Sequence, residues 1–233
     1  LLKCKTRIIN FLRSGLEITF PELNQIFKNA YAVLALQMFR MYCHPDFLVG
    51  LTLKEMTNRV YQAVNKRIYK DVIQNYCAQV WLTAKNSYPA VPVDSLEVEI
   101  ISEYCDEIEN YNKEIAYIQN KLIKTAASLD NFKFISSIPG AGQLNSALLL
   151  GFAGDISRFD NYKQLNAFLG FDLNRYQSGK YLKNDTINRR GSSQGRVVET
   201  DMIRSILRNQ GRIQNHLINY YYKLKKPPFN KHD

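Results

Sequence analysis

Between residues 94 and 129 the apolar positions recur at alternating spacings of three and four: Ile101, Tyr104, Ile108, Tyr111, Ile115, Ile118, Leu122, Thr125 and Leu129. Four heptads with charged residues between them predict one long helix carrying a coiled-coil seam, roughly 50 Å long at about 1.5 Å per residue. Such a seam must be buried, either against the preceding helices as an intramolecular hairpin or against a second copy, and we expect a homodimer or higher oligomer. Upstream, helical spacing runs over 1–14 and 26–42, separated by Gly15 and Pro21, and over 52–87 with a break near Asn65. Pro89 and Pro92 interrupt the helical pattern, since proline stops a helix and restricts its predecessor. After residue 132 the helices shorten, to about 142–152, 161–169, 193–209 and 212–224, around a polar loop at 171–191 with room for a short hairpin. The expectation is a mainly α chain in three parts: a helical region at 1–91, a coiled-coil helix at 92–131, and a small, mostly helical domain with irregular loops at 132–233.

Composition narrows the class. The 233 residues are 45% hydrophobic, 22% charged and 12% aromatic, enough to build a core and too apolar for wholesale disorder. No run approaches the ~18 consecutive apolar residues of a membrane span. The first residue is Leu1 and no signal pattern follows it, so the sequence reads as a piece of a longer protein. Cysteines at 4, 43, 77 and 105 and histidines at 44, 216 and 232 lie far apart, with no CxxC pair. Zinc and redox motifs need close spacing, so the pattern fits reduced thiols in a cytosolic chain, and no metal ligands are assigned.

Charge is unevenly placed. Residues 94–114 carry 8 acidic and 1 basic side chains, whereas 171–233 carry 13 basic and 5 acidic. The acidic run fits the solvated face of the long helix. The basic end suggests a polyanion, with an ordinary solvated surface as the alternative.

Three constellations bear on chemistry. The run Ile138-Pro139-Gly140-Ala141-Gly142, between apolar segments, has the pattern of a helix-hairpin-helix. Glycines there let backbone approach a phosphate, and the free N–H groups of the next helix point at it; an ordinary Gly-rich helix cap has the same spacing. Next, Tyr176-Gln177-Ser178-Gly179-Lys180-Tyr181 precedes Ile187-Asn188-Arg189-Arg190-Gly191 and Arg196. A serine in this basic loop could attack a phosphodiester while Lys180, Lys183 and the arginines stabilise the growing charge. It would need activation, and a turn residue is the plain alternative. Ser192 reads as an N-cap. Last, Arg204, Arg208 and Arg212 are spaced by four, as a phosphate-tracking stripe or as a solvated face paired with Glu199 or Asp201.

These runs, with Gly154-Asp155-Ile156-Ser157-Arg158-Phe159 and Leu165-Asn166-Ala167-Phe168-Leu169-Gly170-Phe171-Asp172, resemble one family over about 134–226. It is the DEDD-type insertion-sequence transposases related to the Piv and MooV DNA invertases, whose members use a bridge RNA. The resemblance implies a DNA transposase in which Ser178 is the nucleophile, cleaving DNA and rejoining it through a phosphate linkage. It matches Arg189, Arg190 and Arg196 to the family's basic positions. It implies DNA (element ends and target), guide RNA and a dimer as partners, and a prokaryotic, nucleoid-associated cytoplasmic setting without membrane. The divalent metal, Mg in expectation, would be held by acids of a RuvC-like domain upstream of Leu1, so this chain alone is expected not to cut. Arg204 and Arg208 join Gly140, Gly142, Lys180 and Lys183 as expected DNA contacts. Gly195 stands where the family carries leucine, at a mid-helix cost of ~1 kcal/mol. The other readings are a non-catalytic nucleic-acid-binding and dimerisation module, and a structure-specific repair factor using the helix-hairpin-helix.

Overall fold

The structure, a computed structural model, describes residues 1–64, 68–171, 191–213 and 215–225, together with the backbone pairing of 173–174, 177–178, 181–182 and 186–187. The fold is mainly α, as the sequence predicts. Among the described residues the helices are α1 (Leu2–Thr19), α2 (Glu22–Ile26), α3 (Val33–Tyr42), α4 (Leu53–Ala63), α5 (Lys70–Ala84), α6 (Leu96–Ala126), α7 (Asp130–Ser136), α8 (Gln143–Ala153), α9 (Tyr162–Leu169), α10 (Ser193–Arg208) and α11 (His216–Leu224). Four two-residue strands, β1 (Leu173–Asn174), β2 (Gln177–Ser178), β3 (Tyr181–Leu182) and β4 (Thr186–Ile187), lie between α9 and α10. The chain forms two compact units, Leu1–Tyr117 and Ile118–Asp233, and the division falls within α6. No helix of the described residues is long and apolar enough to cross a membrane.

In the first unit one core gathers Leu12 and Leu16 of α1, Met38 and Phe39 of α3, Met56 and Val60 of α4, Ile73 and Cys77 of α5, and Ile101, Cys105 and Ile108 of α6. The opening part of the seam is therefore buried against the chain's own helices. Phe11 stacks on Tyr104 with ring centroids 6.1 Å apart, and Arg40 ties α3 to α6 through Asp106 and, at 3.2 Å, Glu109. Further along, Ile118 is 46% and Tyr117 66% exposed.

Two local expectations change. Gly15 does not end α1, which runs on to Thr19. A Cβ at Gly15 would lie 3.5 Å from Ile101 Cγ1, an ordinary contact distance, so the position faces α6 rather than breaking α1. The region 26–42 is not one helix, because 27–32 leave the helical path. Phe27 is drawn into the core instead, its ring 5.0 Å from Tyr76 and 5.4 Å from Phe39, and burial of an aromatic outweighs the weak propensity of a short segment.

α4 begins on a capping box, with Glu55 N donating to Thr52 Oγ1 and Thr52 N to Glu55 Oε2. His44, 1% exposed, is a structural side chain. Its Nδ1 accepts from Asp46 N, so Nε2 donates to Val91 O at 3.1 Å. Burial pushes the thiols of Cys43 and Cys77 up to about 11 and that of Cys105 to about 12, so all three stay protonated near neutral pH.

Candidate nucleic-acid interface and serine loop

The second unit has two small cores. Ala126, Phe132, Ala147 and Leu150 join the end of α6 to α7 and α8. Ala141, Met202, Ile206 and Ile218 join the turn before α8 to α10 and α11. The turn between α7 and α8 is closed by Ala141 N donating to Ile138 O at 3.0 Å.

The two glycines of that turn do different work. Gly140 has φ +91°, and a Cβ on it would lie 2.7 Å from Ile206 Cα and 2.8 Å from Ser205 O. It is therefore small because its backbone meets the α10 backbone there, beside the Arg204–Arg208 stretch. Gly142 caps α8 at φ 72° and ψ 148° with nothing within 4 Å of its Cβ position. The amino end of α8 is thus open, and the first-turn N–H groups there have no intrahelical acceptor.

Arg204 and Arg208 both lie on α10 and are exposed, whereas Arg212 falls beyond its end, with its N–H on Asn209 O. The stripe of three therefore shortens to two on one helix. Arg204 is partly paired, Nη1 donating to Asp201 at 3.3 Å across one turn. Glu199 takes no part in that pairing. Its Oε2 is buried without a hydrogen bond, and burial holds its carboxyl above the usual carboxylate range.

The loop that carries Ser178 is gathered at a neck. α9 ends on Gly170, in the left-handed region at φ 79° and ψ 27°, where Phe171 N returns to Asn166 O at 2.8 Å and Gly170 N to Ala167 O at 3.1 Å. A Cβ on Gly170 would lie 2.8 Å from Gly191 N, and one on Gly191 would lie 2.5 Å from Phe168 O. Arg196 secures the closure, Nη1 donating to Gly191 O at 3.1 Å and more weakly to Leu169 O at 3.4 Å. Ser192 caps α10 through Gly195 N at 3.1 Å. Gly195 accordingly sits in the first turn of α10, where the mid-helix cost does not arise, and a Cβ there would lie 2.8 Å from Leu169 Cδ2.

Beyond the neck, β1 pairs antiparallel with β4, Leu173 opposite Ile187 and Asn174 opposite Thr186. β2 pairs with β3, Gln177 opposite Leu182 and Ser178 opposite Tyr181. In sequence the β2–β3 pair, with Ser178, is nested between the strands of the β1–β4 pair, while Arg196 belongs to the neck itself. Lys180, Lys183, Arg189 and Arg190 lie outside the described residues, as does the side chain of Ser178.

Sequence reasoning missed Arg158. Its guanidinium carbon lies 4.7 Å from the Phe159 ring centroid and 4.5 Å from that of Phe168, and the rings are 5.5 Å apart. The adjacency of Arg158 and Phe159 was visible in the sequence; the approach of Phe168 from α9 was not. Asp155 nearby is committed to Ser157, accepting from its N–H at 2.9 Å and its Oγ at 2.7 Å. These hydrogen bonds, with a smaller contribution from Arg158, hold its carboxyl below the usual range. Among the described residues no three His, Cys, Asp or Glu side chains gather as metal ligands.

Residues 133–218 match the family model described as Transposase IS116/IS110/IS902 family. The transposase for insertion sequence element IS1111A of Coxiella burnetii (strain RSA 493 / Nine Mile phase I) is 28% identical over 103 residues. That alignment covers 44% of this chain and 28% of the relative, so the chain spans little more than a quarter of the curated protein it matches. No solved structure matches.

Proposed function

We propose that the chain is the helical middle region and serine domain of a DNA transposase guided by RNA. One observation carries this reading. The segment similar to a transposase domain contains the turn whose Gly140 lies on Ser205 and Ile206, bringing the open amino end of α8 toward the helix of Arg204 and Arg208. Helix N–H groups and arginine forks both suit phosphate oxygens and do not depend on base sequence. Sequence choice then falls to base pairing with the guide RNA, for element ends and target alike.

In this reading the Ser178 hydroxyl attacks phosphorus, the bond to one deoxyribose oxygen breaks, and that oxygen leaves with a proton as a free hydroxyl. The strand stays joined to Ser178 as a phosphodiester, so a second strand's hydroxyl can reverse the step without ATP. Lys180, Lys183, Arg189 and Arg190 are assigned to the phosphate, with Arg196 supporting them from the neck. Oligomerisation is assigned to the part of α6 around Ile115 and Ile118. A divalent metal is assigned to acids upstream of Leu1; the described acids do not assemble a site for one, and no step here runs through it.

The second reading, a non-catalytic nucleic-acid-binding and dimerisation module, draws on Arg196, whose Nη1 is held by protein carbonyls at the neck. Covalent trapping separates the two. The intact parent protein, with its RNA and DNA bearing the element junction, is quenched during strand exchange and digested for peptide mass spectrometry. A nucleotide adduct on Ser178, absent from Ser178→Ala, is the expected result. Active cleavage with an adduct elsewhere, or with none, would leave Ser178 as a turn residue and the chain as a binding module.

A further inference from the structure

We infer that Arg158 is a DNA-phosphate contact that serves the serine loop, an inference that rests on the nucleic-acid reading above. The guanidinium lies over two aromatic rings, Phe159 and Phe168, at 4.7 and 4.5 Å. A cation–π contact holds the charge without using the guanidinium's N–H donors, which lie in its plane. Arg158 is exposed, and among the described residues no carboxylate lies within ion-pair distance of it. Asp160, two residues on, accepts from Gln164 Nε2 at 3.1 Å, and Asp155, three residues back, directs its acceptor to Ser157, leaving Arg158 only a minor attraction to it.

A side chain in this state is prepared for a ligand. Arginine ordinarily loses much rotamer freedom on binding, and here the two rings have already restricted it. The fork of donors suits a tetrahedral anion approached edge-on, in two parallel hydrogen bonds. A structural role alone, covering two phenyl rings, would be met equally by the stem of a lysine.

Location selects the ligand. Phe168 precedes Leu169, and its carbonyl abuts Gly191 at the neck. The cation is therefore anchored at the base of the loop that carries Ser178, where the chain enters a segment with 13 basic and 5 acidic side chains over 171–233. A phosphodiester of the DNA strand presented to that loop is the anion that fits both position and charge.

The test uses the 233-residue chain and a fluorescent duplex DNA of about 30 bp, with binding followed by anisotropy from about 50 to 300 mM salt. One lost phosphate contact lowers the slope of log K against log salt by about 0.9 in B-DNA. Arg158→Gln is expected to do so and to weaken binding several-fold, while Phe168→Leu weakens binding and keeps the slope. Wild-type affinity and slope in Arg158→Gln would overturn the inference and leave DNA binding intact. No salt-dependent binding by the unsubstituted chain would instead defeat the nucleic-acid reading, and this inference with it. Weakened binding to a hairpin RNA without weakened duplex binding would also overturn it. Circular dichroism checks the fold. If Arg158→Gln fails to fold, Arg158→Lys decides: a retained slope with affinity at least halved supports a forked contact, and wild-type affinity overturns it.

Discussion

Gly170 and Gly191 meet backbone to backbone, so that a Cβ on Gly170 would lie 2.8 Å from the Gly191 amide nitrogen and 2.9 Å from its Cα. Twenty residues separate them in sequence, and the loop bearing Ser178 is everything in between. The contact makes the two glycines unequal targets for substitution. At Gly170, alanine meets both the left-handed backbone, worth about 1–2 kcal/mol, and overpacking, worth about 1–3 kcal/mol. At Gly191, where no positive φ is involved, only the overpacking remains. Urea denaturation is expected to show both variants destabilised, with Gly170→Ala the worse. A Gly191→Ala variant as stable as the parent would mean that the neck is not closed as described.

The hairpin glycines allow a sharper comparison. Gly140→Ala would drive a Cβ into the α10 backbone, at 2.7 Å from Ile206 Cα, in addition to the strain of φ +91°. Gly142→Ala adds only backbone strain, about 1–3 kcal/mol, because nothing lies within 4 Å. Thermal melts should therefore rank Gly140→Ala as the more destabilised by at least about 1 kcal/mol. Salt-dependent binding to duplex DNA should be affected at Gly142 in molecules that remain folded, since the proposed phosphate contact lies at that helix end. Equal destabilisation by the two would remove the distinction between a packing glycine and a capping one.

Glu199 supplies a pH signature. Burial raises its folded-state pKa above the ordinary 4.5. A raised pKa contributes stability that is complete below the unfolded value and is lost as pH rises through the folded one. At pH 7 the buried carboxylate is therefore a liability, and Glu199→Gln should melt at a higher temperature than the parent. That gain should shrink to nothing as pH falls below about 4.5. A gain independent of pH, or a loss at pH 7, would show that the carboxylate has a partner in solution.

The long helix α6, the capping Ser192, the breaks near Pro89 and Pro92, and α8, α9 and α10 to within a residue or two were all legible, because periodicity, capping and proline act over a few neighbouring residues. Gly15 and Phe27 misled for the opposite reason. A glycine reads as a break until α6 is seen to approach it, and 26–42 reads as one helix until Phe27 is seen between Tyr76 and Phe39. The motifs around Gly140, Ser178 and Arg189 also pointed to DNA chemistry, and a transposase match over 133–218 agrees with that direction.

Tertiary structure decided which of two jobs each small or charged residue performs. Gly140 and Gly142 look alike in sequence, yet one is pressed against α10 and the other faces open space. Arg196 and Arg158 are both arginines in basic surroundings, but one holds the carbonyls of the neck while the other rests against two rings. Local sequence specifies backbone preference and charge. Whether a Cβ has room, or a guanidinium already has acceptors, depends on residues distant in the chain, and packing alone brings those together.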